Sequence, residues 1–444
     1  MIKLISTRFT ITLYRNLKKV TLLSMTLVAT PVVMAHGDKP HPVVLHAARV
    51  FDGTVMRTNT SVLVIDGKVA QIDASEVLKV KDTDVIDLGD ATLLPGFIEL
   101  HAHLAFQNVS PDVVLKHGIT TLRDVGGPIH QPYGGEGSLR VLTSGPIITA
   151  PEGYPIPGMG ATNIAIAVAT EIQARETVRD LVKGGAAVIK IALEPGGEAG
   201  APWTQGHGHG HGHHHENEHN PNHYVEQGHQ PLPAVAIHKP APEPEHKPEQ
   251  HNKAWPLLSV SMVKAIVDEA HKNGRKVTAH IGEKKGAKIA LEAGVDEWAH
   301  VPCEVIPDAL LKKAVAQQVK IVTTMDTLWK CPGVAKNVST LTSLGASFLY
   351  GAEIAHPDVP WGIDSQELIY MMYIAKMQPL EILHTATAKA GQHLSIPLLG
   401  ALQVGAPADM IAIKGDISPT FKNLEYPDFV MSGGHIIVNN FTKH

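Results

Sequence analysis

Two histidines one residue apart, His101 and His103, close the segment GFIELHAHL. In a strand, residues i and i+2 point to the same side, so both imidazoles face one point in space. His280 stands at the end of KVTAH and His300 at the end of VDEWAH. Lys190 lies inside the apolar run AAVIKIA, where a lysine is costly unless it has a partner. A neutral, desolvated lysine reacts with carbon dioxide to give a carbamate, an anionic oxygen ligand able to bridge two metal ions. Any one of these histidines alone reads as a hydrogen-bonded core residue. Four of them together, at the ends of three strand-like runs, point to a metal centre. No G-x-S-x-G elbow occurs, so a serine nucleophile is not indicated. A second concentration of histidine is the run GHGHGHGHHHENEH, with His207, His209, His211, His213, His214, His215 and His219. Its neutral imidazoles suit zinc or copper, but its glycine spacers argue for several weak, interchangeable contacts rather than one fixed site.

Elements of a particular kind must position these side chains. Apolar, β-like runs alternate with stretches of helical period: GFIELHAHL, GITTLRDVG, VLTSGPIIT, AAVIKIA, KVTAHIG, VDEWAHV, KIVTTMD and SFLYGAE. This alternation predicts an α/β fold, a (β/α)8 TIM barrel over residues 96–399. One helix is well marked. Ser261 is its expected cap, Met262, Val263, Ile266, Val267 and Ala270 form one face, and Gly274 is the stop. Both ends of the chain have a different texture of β-branched runs and Asp-Gly turns. They predict a small composite β-sandwich domain from residues 36–95 and 400–444. Residues 201–255, rich in His and Pro, lack the apolar spacing of a core. They read as a disordered insertion between the fourth strand and its helix, on the face where barrel enzymes keep their active sites.

The 444 residues suffice for one large domain with a small companion, and the net charge of −5 gives no basic patch suited to nucleic acid. Twelve of the 27 histidines fall between His207 and His251, so the excess is local. Arg8, Arg15, Lys18 and Lys19 precede the short apolar run VTLLSMTLVATPVVMA, which ends in Val33-Met34-Ala35. Residues 1–35 therefore read as a signal peptide, with a periplasmic or secreted mature protein and no stable membrane insertion after cleavage. The two cysteines, Cys303 and Cys331, form either a disulfide or two separate buried thiols. Homo-oligomerisation is left open.

The segments IDGKVAQI, LLPGFIELHAHL, GITTLRDVGG and GALQVGAPADMIAIKGD together resemble the metal-dependent amidohydrolase superfamily, in its prolidase-like and imidazolonepropionase-like branch. The resemblance implies one or two divalent ions, Zn2+ first. His101 and His103 would hold the more buried ion, a carbamylated Lys190 would bridge the pair, and His280 and His300 would hold the second. The superfamily's eighth strand usually ends Gly-Thr-Asp; this chain has Gly351-Ala352-Glu353. Glu353 thus takes the place of the catalytic, metal-binding acid with one extra methylene, and Asp358 and Asp364 are nearby alternatives. The implied chemistry is hydrolysis of a C–N bond in a small molecule, such as a dipeptide or N-acyl amino acid, by metal-activated hydroxide, with Glu353 moving the proton. Tyr154 and His356 are candidate substrate contacts, with turn structure or a solvated loop as their other readings. Arg123-Asp124 reads as a structural ion pair. Two rival functions are a lactone or ester hydrolase with the same centre, and a periplasmic zinc-buffering protein with reduced catalysis.

Overall fold

The computed structural model describes residues 40–73, 78, 80–160, 162–196, 254–417 and 421–441. The expected leader (1–35) and nearly all of the insertion, including His207, His209, His211, His213, His214, His215 and His219, lie outside the described residues.

The amino-terminal strands are β1 (Val43–Phe51), β2 (Met56–Ile65), β3 (Lys68–Asp73), β4 (Asp84–Asp87) and β5 (Ala91–Pro95). Ten strands follow: β6 (Phe97–Ala102), β7 (Ile119–Asp124), β8 (Arg140–Thr143), β9 (Ile147–Thr149), β10 (Ala165–Ala167), β11 (Ile189–Ala192), β12 (Val277–His280), β13 (Glu297–Trp298), β14 (Lys320–Val322) and β15 (Ser347–Leu349). The chain closes with β16 (Met410–Lys414), β17 (Phe429–Ser432) and β18 (His435–Asn439).

Both ends of the chain meet in one eight-stranded sheet of order β18-β17-β16-β5-β1-β2-β3, with β4 beside β1. The sequence reading was a sandwich; the ladder is instead one sheet, because β16 pairs antiparallel with β5 and joins the two ends directly. Its hairpins use the turns its sequence dictates. Asp66 (φ 48°) and Gly67 (φ 73°) both take positive φ between β2 and β3, as a two-residue primed turn requires. A Cβ on Gly67 would stand 2.7 Å from the Gly433 carbonyl, so a side chain there would separate this turn from the β17–β18 turn.

All eight predicted core segments carry strands, and every pairing among them is parallel. They form a three-stranded sheet, β6-β7-β8, and a seven-stranded sheet, β10-β9-β11-β12-β13-β14-β15. VLTSGPIIT is two strands rather than one, because Gly145 takes φ 68° between them. β10 is an addition that the sequence reading missed. The two sheets touch at both ends: Ala187 N–H donates to Thr143 O at 2.8 Å, and His103 N–H donates to Ile354 O at 2.9 Å. Among the described residues there is no single closed ladder. β6 shifts register twice against β7, and the chain beyond β15 turns left-handed at Glu353 (φ 68°) and Ala355 (φ 95°). Such irregularities are common where a strand end re-aims a side chain at a site.

The marked helix runs Val260–Lys272, and its cap is Ser259, whose hydroxyl accepts from Met262 N–H at 3.3 Å. The expected Ser261 lies in the first turn instead. Leu258 before the cap and Val263 four residues into the helix both bury in the core, and this apolar pair sets the entry point. Among the described residues, no helix is long and apolar enough to cross a membrane.

Cys303 and Cys331 form a disulfide, which resolves the alternative left open above. It joins the loop after β13 to the loop after β14. Buried Asn337 holds the first of these loops as well: its amide donates to Pro302 O and Glu304 O, and its carbonyl accepts from Ile306 N–H. The segment carrying His300 is thereby fixed from two sides.

Candidate metal centre

The C-terminal end of β6 delivers His101 and His103. His101 is fully buried, and its Nδ1 donates to Ala299 O at 2.9 Å, which fixes the tautomer and leaves the Nε2 lone pair for the centre. That Nε2 lies 3.3 Å from His103 Nε2 and 3.5 Å from Lys190 Nζ. His300 lies just beyond β13, and Thr324 Oγ1 holds its Nδ1 at 3.0 Å. Ring centroids of His101 and His300 are 4.5 Å apart, and those of His300 and His280 are 4.7 Å apart. The imidazoles thus form a continuous row.

Glu353 reaches this row from the end of the eighth core strand. Its Oε1 is 4.0 Å from His101 Nε2 and 3.8 Å from His103 Nε2, and its Oε2 is 3.9 Å from His300 Nδ1. Donor atoms of His101, His300 and Glu353 all lie within 4.8 Å of one another. Gly351 permits this approach, since a Cβ there would stand 2.4 Å from Val322 Cγ1. The fallback acids do not join the cluster. Asp364 caps the helix Ser365–Tyr373, and Asp358 donates its backbone N–H to His356 Nδ1 at 3.4 Å.

The electrostatics follow from burial. Desolvation first, and then the neighbouring cations, depress His101, His103 and His300 well below the ordinary histidine pKa. All three are neutral, the form that ligates metals. Burial lowers Lys190 to about 7, with Glu353 opposing. Burial raises Glu353 to about 7, with Lys190 and the Thr327 hydroxyl opposing. The donor set fits a divalent ion. Separations of 3.3–4.0 Å are close to the edges of a coordination shell with bonds of about 2.0–2.2 Å. Moreover, Glu353 Oε2 is buried without a hydrogen-bond partner among the described residues.

Tyr154 comes to the site as a wall. Its ring lies 4.8 Å from the His280 ring and stacks on Trp255 at 5.4 Å. His356 is held in its own turn, with its N–H donating to Glu353 O at 3.0 Å. Trp255 is the last residue of the segment 201–255 that the sequence reads as disordered, yet it is ordered at the site: its N–H donates to Pro195 O at 2.7 Å. The described residues on either side of the insertion therefore meet beside His280. Glu194 was also missed. It is buried, and its Oε2 lies 3.4 Å from His280 Nε2. The available signal was an acid ending an apolar strand in IALEPGG.

Arg123 and Asp124 do not pair with each other. Adjacent strand residues face opposite ways, so Arg123 donates to both oxygens of Glu297, at 3.1 and 2.6 Å, and to Leu100 O at 2.7 Å. Burial opposes the charge on Glu297, but the Arg123 guanidinium and His393 hold its carboxyl far below the usual range. On the other face, Asp124 accepts from Ala105 N–H at 3.3 Å.

A buttress below the Thr324 loop gives a pH prediction. Glu367 accepts from Asp326 N–H at 2.8 Å, and burial raises its pKa from 4.5 to about 8 against the opposing backbone bonds from Asp326 and Met325. The folded chain keeps a proton that the unfolded chain has released, so Glu367 makes stability fall as pH rises through that window. Melting temperatures between pH 4.5 and 8 are expected to slope less steeply in Glu367→Gln than in the wild type. Equal slopes would refute the assignment.

The amidohydrolase family model matches residues 92–437, and the chain belongs to that family, whose enzymes are hydrolases acting on carbon–nitrogen bonds. Its similarity to the exoenzymes regulatory protein AepA of Pectobacterium carotovorum subsp. carotovorum is local: 37% identity over 84 residues, 18% of each chain. Solved structures share the fold over most of their length. A Xaa-Pro dipeptidase with bound methionine superposes with TM-score 0.65 and 19% identity, covering 89% of this chain and 99% of that one. The ochratoxinase of A. niger gives 0.64 and 18%, covering 90% and 96%. Phenylurea hydrolase B gives 0.64 and 17%, covering 90% and 97%.

Proposed function

We propose that this protein is a divalent-metal-dependent hydrolase that cleaves an amide-type C–N bond in a small molecule. Dipeptides and N-acyl amino acids are the first substrates to test. One observation carries the reading: the neutral imidazoles of buried His101 and His300 and of half-buried His103 converge with the Glu353 carboxylate. These four residues would hold one ion, zinc first; His300, which the resemblance assigns to the second ion, joins the first because its donor atom groups with His101 and Glu353, and His280 stands beside a second. Lys190, whose proton is weakly held, would bridge the two as a carbamate. A bound divalent ion supplies Lewis-acid polarisation of a carbonyl and a water of lowered pKa.

The chain's own groups do the rest. Glu353 holds the proton leaving the attacking water and returns it to the departing nitrogen. Thr324 and Ala299 fix the His300 and His101 rings so that their donor atoms need not reorganise. Tyr154 and Trp255 form an apolar wall beside His280 that excludes water and offers a face to the substrate. We read the scaffold as a (β/α)8 barrel of amidohydrolase type.

The test is turnover of a panel of dipeptides, N-acyl amino acids and lactones by chelator-stripped protein, with and without added zinc. Zinc-dependent cleavage of the amides is expected. Cleavage of lactones alone would move the reading to an ester-type hydrolase, and no turnover with tight zinc binding would move it to a zinc buffer.

The Cys303–Cys331 disulfide supports a periplasmic or secreted location. In such a compartment, the histidines of residues 201–255 would capture metal for the centre, because the residues flanking them meet beside His280. Deletion of residues 205–251 is expected to lower metal loading when zinc is limiting. Unchanged loading would sink that role.

A further inference from the structure

We propose that Glu194 is a metal ligand that shares a second divalent-cation position with His280. This inference rests on the metal-dependent reading above. Glu194 lies two residues past β11, on the strand that carries Lys190, and its side chain is fully buried. Its two oxygens have different surroundings. Oε1 accepts from Gly196 N–H at 2.6 Å, which fixes the carboxylate plane. Oε2 is aimed at His280 Nε2, 3.4 Å away.

That separation is informative. A charge-assisted N–H···O bond between a carboxylate and an imidazolium is shorter, about 2.7–2.9 Å. Two ligands bonded at about 2.0–2.2 Å to one tetrahedral ion stand roughly 3.3–3.5 Å apart. The pair therefore has the spacing of co-ligands. Its neighbours agree: the His280 ring is 4.7 Å from that of His300, which is 4.5 Å from that of His101. A second position beside His280 would thus adjoin the first centre. Lys190 Nζ lies on the first-centre side, 3.5 Å from His101 Nε2. Glu194 would then give the second position an anionic oxygen of its own, whether or not Lys190 is carbamylated. A carboxylate and an imidazole suit zinc, cobalt, nickel or manganese.

The test is anomalous diffraction from crystals of the full chain soaked in zinc, for the wild type and Glu194→Gln. Localising each ion separates this position from ions held by the histidine run. The wild type is expected to show a maximum within about 2.0–2.4 Å of both Glu194 and His280, and a second beside His101 and Glu353. Glu194→Gln should lose the first maximum and keep the second. In solution, cobalt titrated into both chains should reveal a binding phase weakened at least ~10-fold in Glu194→Gln. The histidine run is common to both chains and cancels in the difference.

An ion beside His280 with Glu194 out of bonding range would overturn the proposal, as would equal occupancy in both chains. That outcome would assign Glu194 to orienting the His280 ring. An absence of ions at both positions would instead overturn the metal-dependent reading itself. Where Glu194→Gln fails to fold, Glu194→Asp should keep the ion in a displaced position, and an unmoved ion would count against the proposal.

Discussion

Glu353→Gln is expected to lower kcat on the best amide substrate by about 10²–10⁴-fold, the usual worth of a positioned general acid–base group. Its carboxylate lies 3.8–4.0 Å from three imidazoles, and its Oε2 is buried without a hydrogen-bond partner among the described residues. The amide keeps the shape and one carbonyl oxygen but cannot take a proton. KM should change much less than kcat, because the lost interaction belongs to the transition state. Steady-state kinetics at fixed zinc, with metal content measured on the same sample, separates this effect from lost metal. Glu353→Asp is the informative companion, since it restores the superfamily's usual residue. The left-handed backbone at Glu353 (φ 68°) aims a side chain one methylene longer. Asp is therefore expected to retain the chemistry but fall short of the imidazoles, and misplacement by ~1 Å can cost ~100-fold. Activity unchanged in Glu353→Gln would remove this residue from the catalytic machinery.

The second large effect is expected from the double variant His101→Asn, His103→Asn. Both metal content at the centre and turnover should fall, with kcat/KM down by more than ~10³-fold, beyond the loss of a single electrostatic stabiliser. His101 is completely buried and also bonded to Ala299 O, so circular dichroism must first show that the variant folds. His300→Asn should give a similar loss of activity, because it removes another donor of the same cluster. Loss of metal with full retention of turnover would refute the catalytic assignment, as metal and chemistry would then reside in different places.

The parts of this molecule governed by local pattern were readable from the sequence. Apolar, β-like runs alternating with stretches of helical period marked all eight core segments, and the Asp66-Gly67 turn marked its hairpin. The histidines were readable because each stands at the end of such a run. What escaped depended on the third dimension. Arg123 and Glu297 are far apart in sequence and meet only because β7 and β13 face a common interior. Glu194 was overlooked because its partner, His280, follows the insertion. Trp255 reads as a loop residue until its stack on Tyr154 and its bond to Pro195 are seen. Ser259 rather than Ser261 is the cap, and Leu258 before it buries in the core with Val263, a three-dimensional packing that the sequence does not display.

The Cys303–Cys331 bridge has a practical consequence. His300 sits three residues before Cys303, on a loop that the bridge ties to the one following β14. Protein recovered from a reducing cytosol would carry two thiols there, and one donor of the centre would lose its tether. The production route, through an oxidising or a reducing compartment, thus becomes a variable in any measurement of metal affinity. Preparations that differ in this respect should be compared only after their free thiols have been counted.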